Sequence, residues 1–400
     1  MENLIPEPVH AISEPSPANV VEVAATDVRY LASYTWTNAQ EPTMVVPGSP
    51  RVWRNLALPY TVPLDTGETF GYWNGLKIPH SPMLPIFRAI DVMEEDNSRE
   101  KLDWPSVDFI TCRNNLRKLL SWIVCKDKGE VVDDFRIDLK LCGVGTVLMQ
   151  RWETHVVFDT ETAGFGYSFG RESTRAGPDC DRGIIAGHSR VISYNFHGMK
   201  MLVRSEVDAC VFPDGMSPSS TAVPISTAPV PPVESYNPAA SSENELVDAL
   251  ASLSVTSSTP SSNLKKLTVV KGGAEVPQSS LIKIKTRSTR NAETFDWTWT
   301  YLQLFLGQTY NLYLGVHQKG NFQEVRQIDF DSPSMKEAAK VAQPVLKKLA
   351  RLLDEILYTA LDHGEDGRLS LVSRAGELKM YRRREKESFL PDEILDRFCF

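Results

Sequence analysis

Apolar and polar positions along the chain follow two periods. In "DFRIDLKLCG", "GTVLMQRWETHVVF", "SRVISYNF" and "MKMLVRSEVDACVF" they alternate with a high β-branched content, which predicts strands of an antiparallel sheet joined by hairpins. The pattern returns in "KKLTVVKGG", "SSLIKIKTRS" and "TYNLYLGVHQKGNFQEVRQIDF". Helical spacing appears in "RNNLRKLLSWIV", where Leu116, Leu119, Leu120 and Ile123 share a face, and a second helix is predicted between the last two strands in "FDWTWTYLQLFLGQ". A long C-terminal helix is predicted in "SPSMKEAAKVAQPVLKKLARLLDEILYTALDHG", from a Ser ahead of a first-turn Glu to Gly364 just past the end, with a kink at Pro344. After it come a hairpin turning at Arg374 to Gly376 and a last short helix in "LPDEILDRF". From Tyr30 to about Pro85, aromatics interleaved with Pro and Gly predict extended chain wrapped on a core. The expected fold class is α+β: a mixed, largely antiparallel sheet with flanking helices and a long C-terminal helix.

Composition divides this pattern. Residues 1–27 are Pro-rich and are expected to be a disordered tail, and residues 213–262, dominated by Ser, Pro, Ala and Thr, a disordered insertion. Within the insertion, residues 244–255 carry a short helical pattern that would dock on the body or on a protein partner. Residues 28–212 and 263–332 then form two parts of one domain, followed by the helix, hairpin and tail of 333–400.

A composition of 42% hydrophobic and 24% charged residues supports a sizeable core. The 43 Lys and Arg against 51 Asp and Glu leave a net charge of −8, so any nucleic-acid contact has to be local. Six cysteines without a C-x-x-C pair read as reduced, buried thiols rather than a zinc site or disulfide framework. The acidic, Pro-rich start has no signal-peptide core and no run of about 18 apolar residues occurs, so no membrane contact is expected and the location is expected to be nuclear or cytoplasmic.

Candidate chemistry lies in two strands. Glu206 and Asp208 in "RSEVDAC" are two apart, and so are Lys283 and Lys285 in "SSLIKIKTRS"; each pair projects from one strand face. Two carboxylates and a lysine on neighbouring strands suit metal-assisted phosphodiester hydrolysis, and a charged, solvated strand face explains the same residues. His188 and His197 flank "SRVISYNF" without ligands at metal spacing and read as structural. "KGG" at Lys271 to Gly273 reads as a turn, and "KMYRRREKE", mixed in sign, as a solvated face.

In order along the chain, "RNNLRKLL", "GYSFG", "SEVDAC", "IKIKT" and "DWTWTYLQLFLG" followed by "LYLGVHQKG" resemble the blocks of the DXO family of decapping exoribonucleases, a branch of the PD-(D/E)XK nuclease superfamily. The chain also resembles a filamentous-fungal group often labelled geranylgeranyl pyrophosphate synthetase, a label that "VVDDFRID", in a strand-like segment, does not support. The DXO resemblance implies a PD-(D/E)XK-type sheet, Mg or Mn, and an RNA 5′ end as substrate. It assigns Arg113 to substrate phosphate, Glu206 and Asp208 to the metal, Lys285 to the attacking water and Gln303 to positioning. Arg113 would equally be an exposed helix charge, and Gln303 a solvated or capping amide.

Two family carboxylates are replaced here, by Gly170 and by Lys283. Glu206 and Asp208 then face Lys283 and Lys285, and the four charges cancel. At an effective dielectric of 20, a unit charge 4 Å away is worth roughly 4 kcal/mol, so an ammonium beside a dication is a large penalty. The expectation is a degenerate metal site with weakened or absent catalysis, Lys283 contacting substrate phosphate instead; Glu172 replaces the lost carboxylate if its strand bulges. A binding scaffold without catalysis is the rival reading.

Overall fold

The computed structural model describes residues 3–66, 68–159, 164–177, 185–211, 267–365, 367–384 and 390–399. These belong to one unit, Met1–Ser219 with Lys266–Phe400. The expected insertion at 213–262, with its segment 244–255, lies outside the described residues.

The first third contributes β1 (Leu4–Ile12), β2 (Ala25–Thr37), β3 (Thr43–Gly48), the short β4 (Val52–Trp53), β5 (Tyr60–Thr61) and β6 (Glu68–Phe70), then α1 (Trp73–Lys77) and α2 (Leu84–Glu94). The middle contributes β7 (Phe109–Cys112), α3 (Arg113–Lys128), β8 (Phe135–Cys142), β9 (Thr146–Trp152), β10 (Val157–Asp159), α4 (Gly166–Glu172), β11 (Thr174–Arg175), β12 (Ile185–Phe196), β13 (Met199–Val207) and β14 (Ala209–Cys210). The last part holds β15 (Thr268–Gly273), β16 (Leu281–Ser288), α5 (Trp297–Gly307), β17 (Asn311–Gln318), β18 (Asn321–Asp329), α6 (Pro333–His363), β19 (Leu369–Arg374), β20 (Glu377–Arg383) and α7 (Asp392–Leu395).

Eleven strands form the larger sheet in the order β1-β20-β19-β8-β9-β7-β13-β12-β2-β3-β15, and seven form the smaller, β11-β4-β14-β16-β17-β18-β5. Both are mixed: β7 runs parallel to β9 and β13, and β16 parallel to β17, among antiparallel neighbours. Central strands of the larger sheet are buried on both faces. Val147, Met149, Met201 and Val203 pack with α3, α5 and α6, while Leu148 and Leu202 pack on the other side with Ile86, Phe87 and Ile90 of α2. Two covered faces explain why "GTVLM" and "MKMLV" read as apolar runs instead of clean alternation.

Helix α6 buries Met335, Ala338, Ala342, Leu346, Leu349, Leu353, Ile356 and Ala360, a stripe at helical spacing, and continues through Pro344. Its ends are as the sequence predicts, Ser332 before and Gly364 after, although the Ser332 side chain makes no capping bond. α2 was not legible in the sequence pattern, and Lys271–Gly273 close β15 instead of turning. Gly273 there passes so near Gly48 that a Cβ would lie 2.3 Å from its backbone.

The N-terminal tail differs most from expectation. Leu4–Ile12 is not disordered but pairs antiparallel with β20 at the edge of the larger sheet. An edge strand tolerates Pro6 and Pro8, whose missing N–H groups disqualify them from a central one.

Candidate functional site

The chain passes from the larger sheet to the smaller at Asp208. Glu206 is opposite Ser189 of β12, whereas Ala209 is opposite Ile282 of β16, and Asp208 itself belongs to neither ladder. Its carboxylate is held by β16: Lys283 Nζ donates to Oδ1 at 2.8 Å and the Ile284 backbone N–H donates to Oδ2 at 2.8 Å. Ile282 and Ile284 pack against Ala209 and Tyr313, so strand alternation sends Lys283, Lys285 and Arg287 to the opposite face.

Lys285 Nζ donates to Thr300 Oγ1 of α5 at 3.3 Å and has no carboxylate partner among the described residues. Burial, then the like charges of Lys283 and Arg287, push its pKa down to about 8; Asp208 opposes the shift and Arg113 adds to it. The Arg287 guanidinium stands 5.4 Å from the centre of the Phe295 ring.

Helix α4 closes the other side. Its residue Phe169, fully buried, stacks on Phe322 at 4.1 Å over Gly315 of β17, where a Cβ would meet both rings within 2.9 Å. The buried Asp65 carboxylate accepts the backbone N–H groups of Tyr167 at 3.2 Å and Ser168 at 2.7 Å, capping the helix from a distant segment. Arg51 donates to Thr174 Oγ1 at 2.6 Å, and burial together with Arg171 lowers its pKa.

These elements enclose a cavity of about 520 Å³ lined by Arg51, Asp65, Gly170, Arg171, Asp208, Lys283, Lys285 and Arg287, with Tyr167 and Thr286 among the rest. Five cations face two carboxylates, a formal excess of three positive charges. Of the six residues that the sequence reading groups at one site, Asp208, Lys283 and Lys285 line this cavity and Glu206, Arg113 and Gln303 do not. Glu206 lies outside the lining, with its Oε1 buried, accepting no hydrogen bond and 3.6 Å from Arg204 Nη2. Arg113 begins α3, near enough to depress Lys285. Gln303 is half-buried on α5, one helical turn from Thr300, and is outside the lining.

Two expectations are corrected. Lys283 and Lys285 do not face both carboxylates: Asp208 takes Lys283, and Glu206 is left to Arg204. Nor does Glu172 replace the carboxylate absent at Gly170, because Gly166–Glu172 is helical and Glu172 pairs with Arg54 at 3.1 Å. A side chain at Gly170 would meet nothing within 4 Å of its Cβ. Arg51, Arg171 and Asp65 went unrecognised, as did Arg287, although its place two beyond Lys285 is legible from strand alternation.

The donor set does not fit Mg²⁺ or Mn²⁺, which take clustered oxygen ligands. Both Asp208 oxygens accept from N–H donors, an ammonium occupies the approach, and no three His, Cys, Asp or Glu side chains converge among the described residues. Elsewhere, His188 is buried with Nδ1 hydrogen-bonded to Thr35 Oγ1 at 2.9 Å, and burial drives its pKa down to about 3, a structural histidine. Asp138 of the "VVDDFRID" run is buried and bonded to Arg136 and Ser370. No helix among the described residues is long and apolar enough to cross a membrane.

This two-sheet architecture is the fold of the Rai1 and Dxo1 structures. Rai1 of Scheffersomyces stipitis, in complex with (3'-NADP)+ and calcium ion, aligns over 97% of this chain and 99% of its own at 13% identity and a TM-score of 0.60. Rai1 of Candida albicans, in complex with pU5-Mn2+, aligns over 97% and 98% at 13% identity and 0.58. Dxo1 of K. lactis, in complex with manganese, aligns over 96% of both chains at 8% identity and 0.50. The chain belongs to the family described as Domain of unknown function (DUF8563), whose model matches residues 8–399. No curated protein matches it in sequence.

Proposed function

We propose that the chain binds RNA 5′ ends in the manner of a decapping-type nuclease whose metal-dependent hydrolysis is lost or strongly attenuated. The observation that carries this reading is the Lys283–Asp208 pair at 2.8 Å inside the cation-rich cavity. The likeness in fold to the Rai1 and Dxo1 structures supports this reading, and the five lining cations suit a polyanion. With Asp208 committed to Lys283 and Ile284, the groups that would assemble a metal-bound nucleophile are not free to do so. Lys285 in this reading holds substrate phosphate instead of orienting a metal-activated water, and Arg113 adds positive charge near it.

The test is a nuclease assay on 5′-triphosphate, NAD-capped and incompletely capped RNA with Mg²⁺ or Mn²⁺. Binding without appreciable turnover is expected. Robust metal-dependent turnover that Asp208→Ala abolishes would overturn the assignment.

A further inference from the structure

The mismatch between this cavity and a divalent cation points to what it does hold. Arg51, Arg171, Lys285 and Arg287 all line it, and none has a carboxylate within 4 Å among the described residues; Lys283 alone is paired. The two carboxylates of the lining compensate this field only in part, and like-charge repulsion reaches Lys285 from Lys283 and Arg287, and Arg51 from Arg171. The open space beside Gly170 keeps the cavity accessible to a small group. Asp208, anchored by the Ile284 N–H, fixes the Lys283 ammonium in place without neutralising the remaining four cations.

We propose that this cavity binds a terminal phosphate or diphosphate without any divalent cation, Lys283 held on Asp208 supplying the positive charge that a metal would bring. A phosphate monoester carries about −1.5 to −2 at pH 7, which falls within the excess of three positive charges. Guanidinium groups at Arg171 and Arg287 bring planar donors suited to phosphate oxygens, while Arg51, whose Nε and Nη2 donate to Thr174 and to the Arg171 carbonyl, adds its charge. That the phosphate belongs to RNA rests on the function proposed above; the phosphate chemistry does not.

The experiment is titration calorimetry of the full chain with inorganic pyrophosphate, 5′-phosphorylated pentauridylate and 5′-hydroxyl pentauridylate, each in EDTA and in Mn²⁺. The phosphorylated oligomer is expected to bind equally in both buffers and the hydroxyl form roughly tenfold more weakly. Lys283→Glu should lower binding in EDTA about tenfold, with partial recovery in Mn²⁺. Arg287→Gln, at an exposed position, should weaken binding several-fold in both buffers, with an unchanged urea unfolding midpoint as the check that the fold is kept. Binding of the wild-type chain that requires Mn²⁺ would overturn the metal-free clamp while leaving RNA binding intact. Pyrophosphate binding in EDTA, with the phosphorylated oligomer no tighter than pyrophosphate, would support the clamp and remove RNA as its source. No binding of either phosphate ligand would overturn both.

Discussion

At the scale of the residue, the site turns on how one strand distributes charge. Lys283, Lys285 and Arg287 share a face, and burial of Lys285 beside two like charges lowers its pKa from 10.5 to about 8. The unfolded chain therefore binds more protons than the folded one between about pH 8 and 10.5, so stability rises with pH across that window. The destabilisation is fully present below about pH 8. Ligand binding runs the other way: an anion favours charged Lys285, so affinity should fall as pH climbs through 8. Amine acylation followed by peptide mass spectrometry should show Lys285 labelling with a midpoint near pH 8, moving upward in Lys283→Met. A wild-type midpoint at the ordinary lysine value would show that neither burial nor the neighbouring cations act on Lys285. The alternation behind this prediction was legible in "KIKTR"; which lysine would capture Asp208 was not. That choice depends on the chain leaving one ladder at Asp208 and joining another, and strand periodicity does not report where a strand changes sheets.

At the scale of the element, α4 shows why part of the site was hidden. Its N-cap position is Phe165, which makes no side-chain cap, so "GYSFGRE" carries none of the usual signs of a helix start. The cap comes instead from Asp65, about a hundred residues earlier, and the anchor from Phe169 over Gly315. Both are tertiary, and neither leaves a local signature. The long helices, by contrast, were read correctly because a stripe such as Leu346, Leu349, Leu353 and Ile356 repeats often enough to announce itself. Asp65→Ala should cost about 1–2 kcal/mol through two uncapped N–H groups, with Asp65→Asn retaining much of it. Urea unfolding midpoints measure the difference. An Ala variant as stable as the wild type would mean that α4 is held by Phe169 alone, and Arg171 would then owe its position in the cavity to packing.

At the scale of the whole molecule, the N-terminal residues act as a strap across the larger sheet and α6. Leu4 and Ile12 are buried, β1 covers the edge of β20, and His10 meets Glu355 at 2.7 Å. Lys348 bridges Glu14 at 2.7 Å and Asp127 of α3, and Val23 exchanges two hydrogen bonds with the Gln343 side chain. Composition suggested disorder because prolines and acidic residues leave few apolar side chains to bury, yet two buried anchors and a ladder outweigh that tendency. Deleting residues 1–14 should remove roughly 3–6 kcal/mol from the two buried side chains alone. It also leaves the hairpin edge at β20 open to pairing with other chains. Hydrogen exchange of Leu378–Arg383 should then quicken and the melting temperature fall. The smaller sheet does not contain β1, and its contacts around β16 run through β14 and β17, so phosphate affinity measured on the still-folded fraction should hold. Loss of affinity in step with loss of edge protection would mean that the two sheets unfold as one cooperative unit, with the strap stabilising the site from the edge of the other sheet.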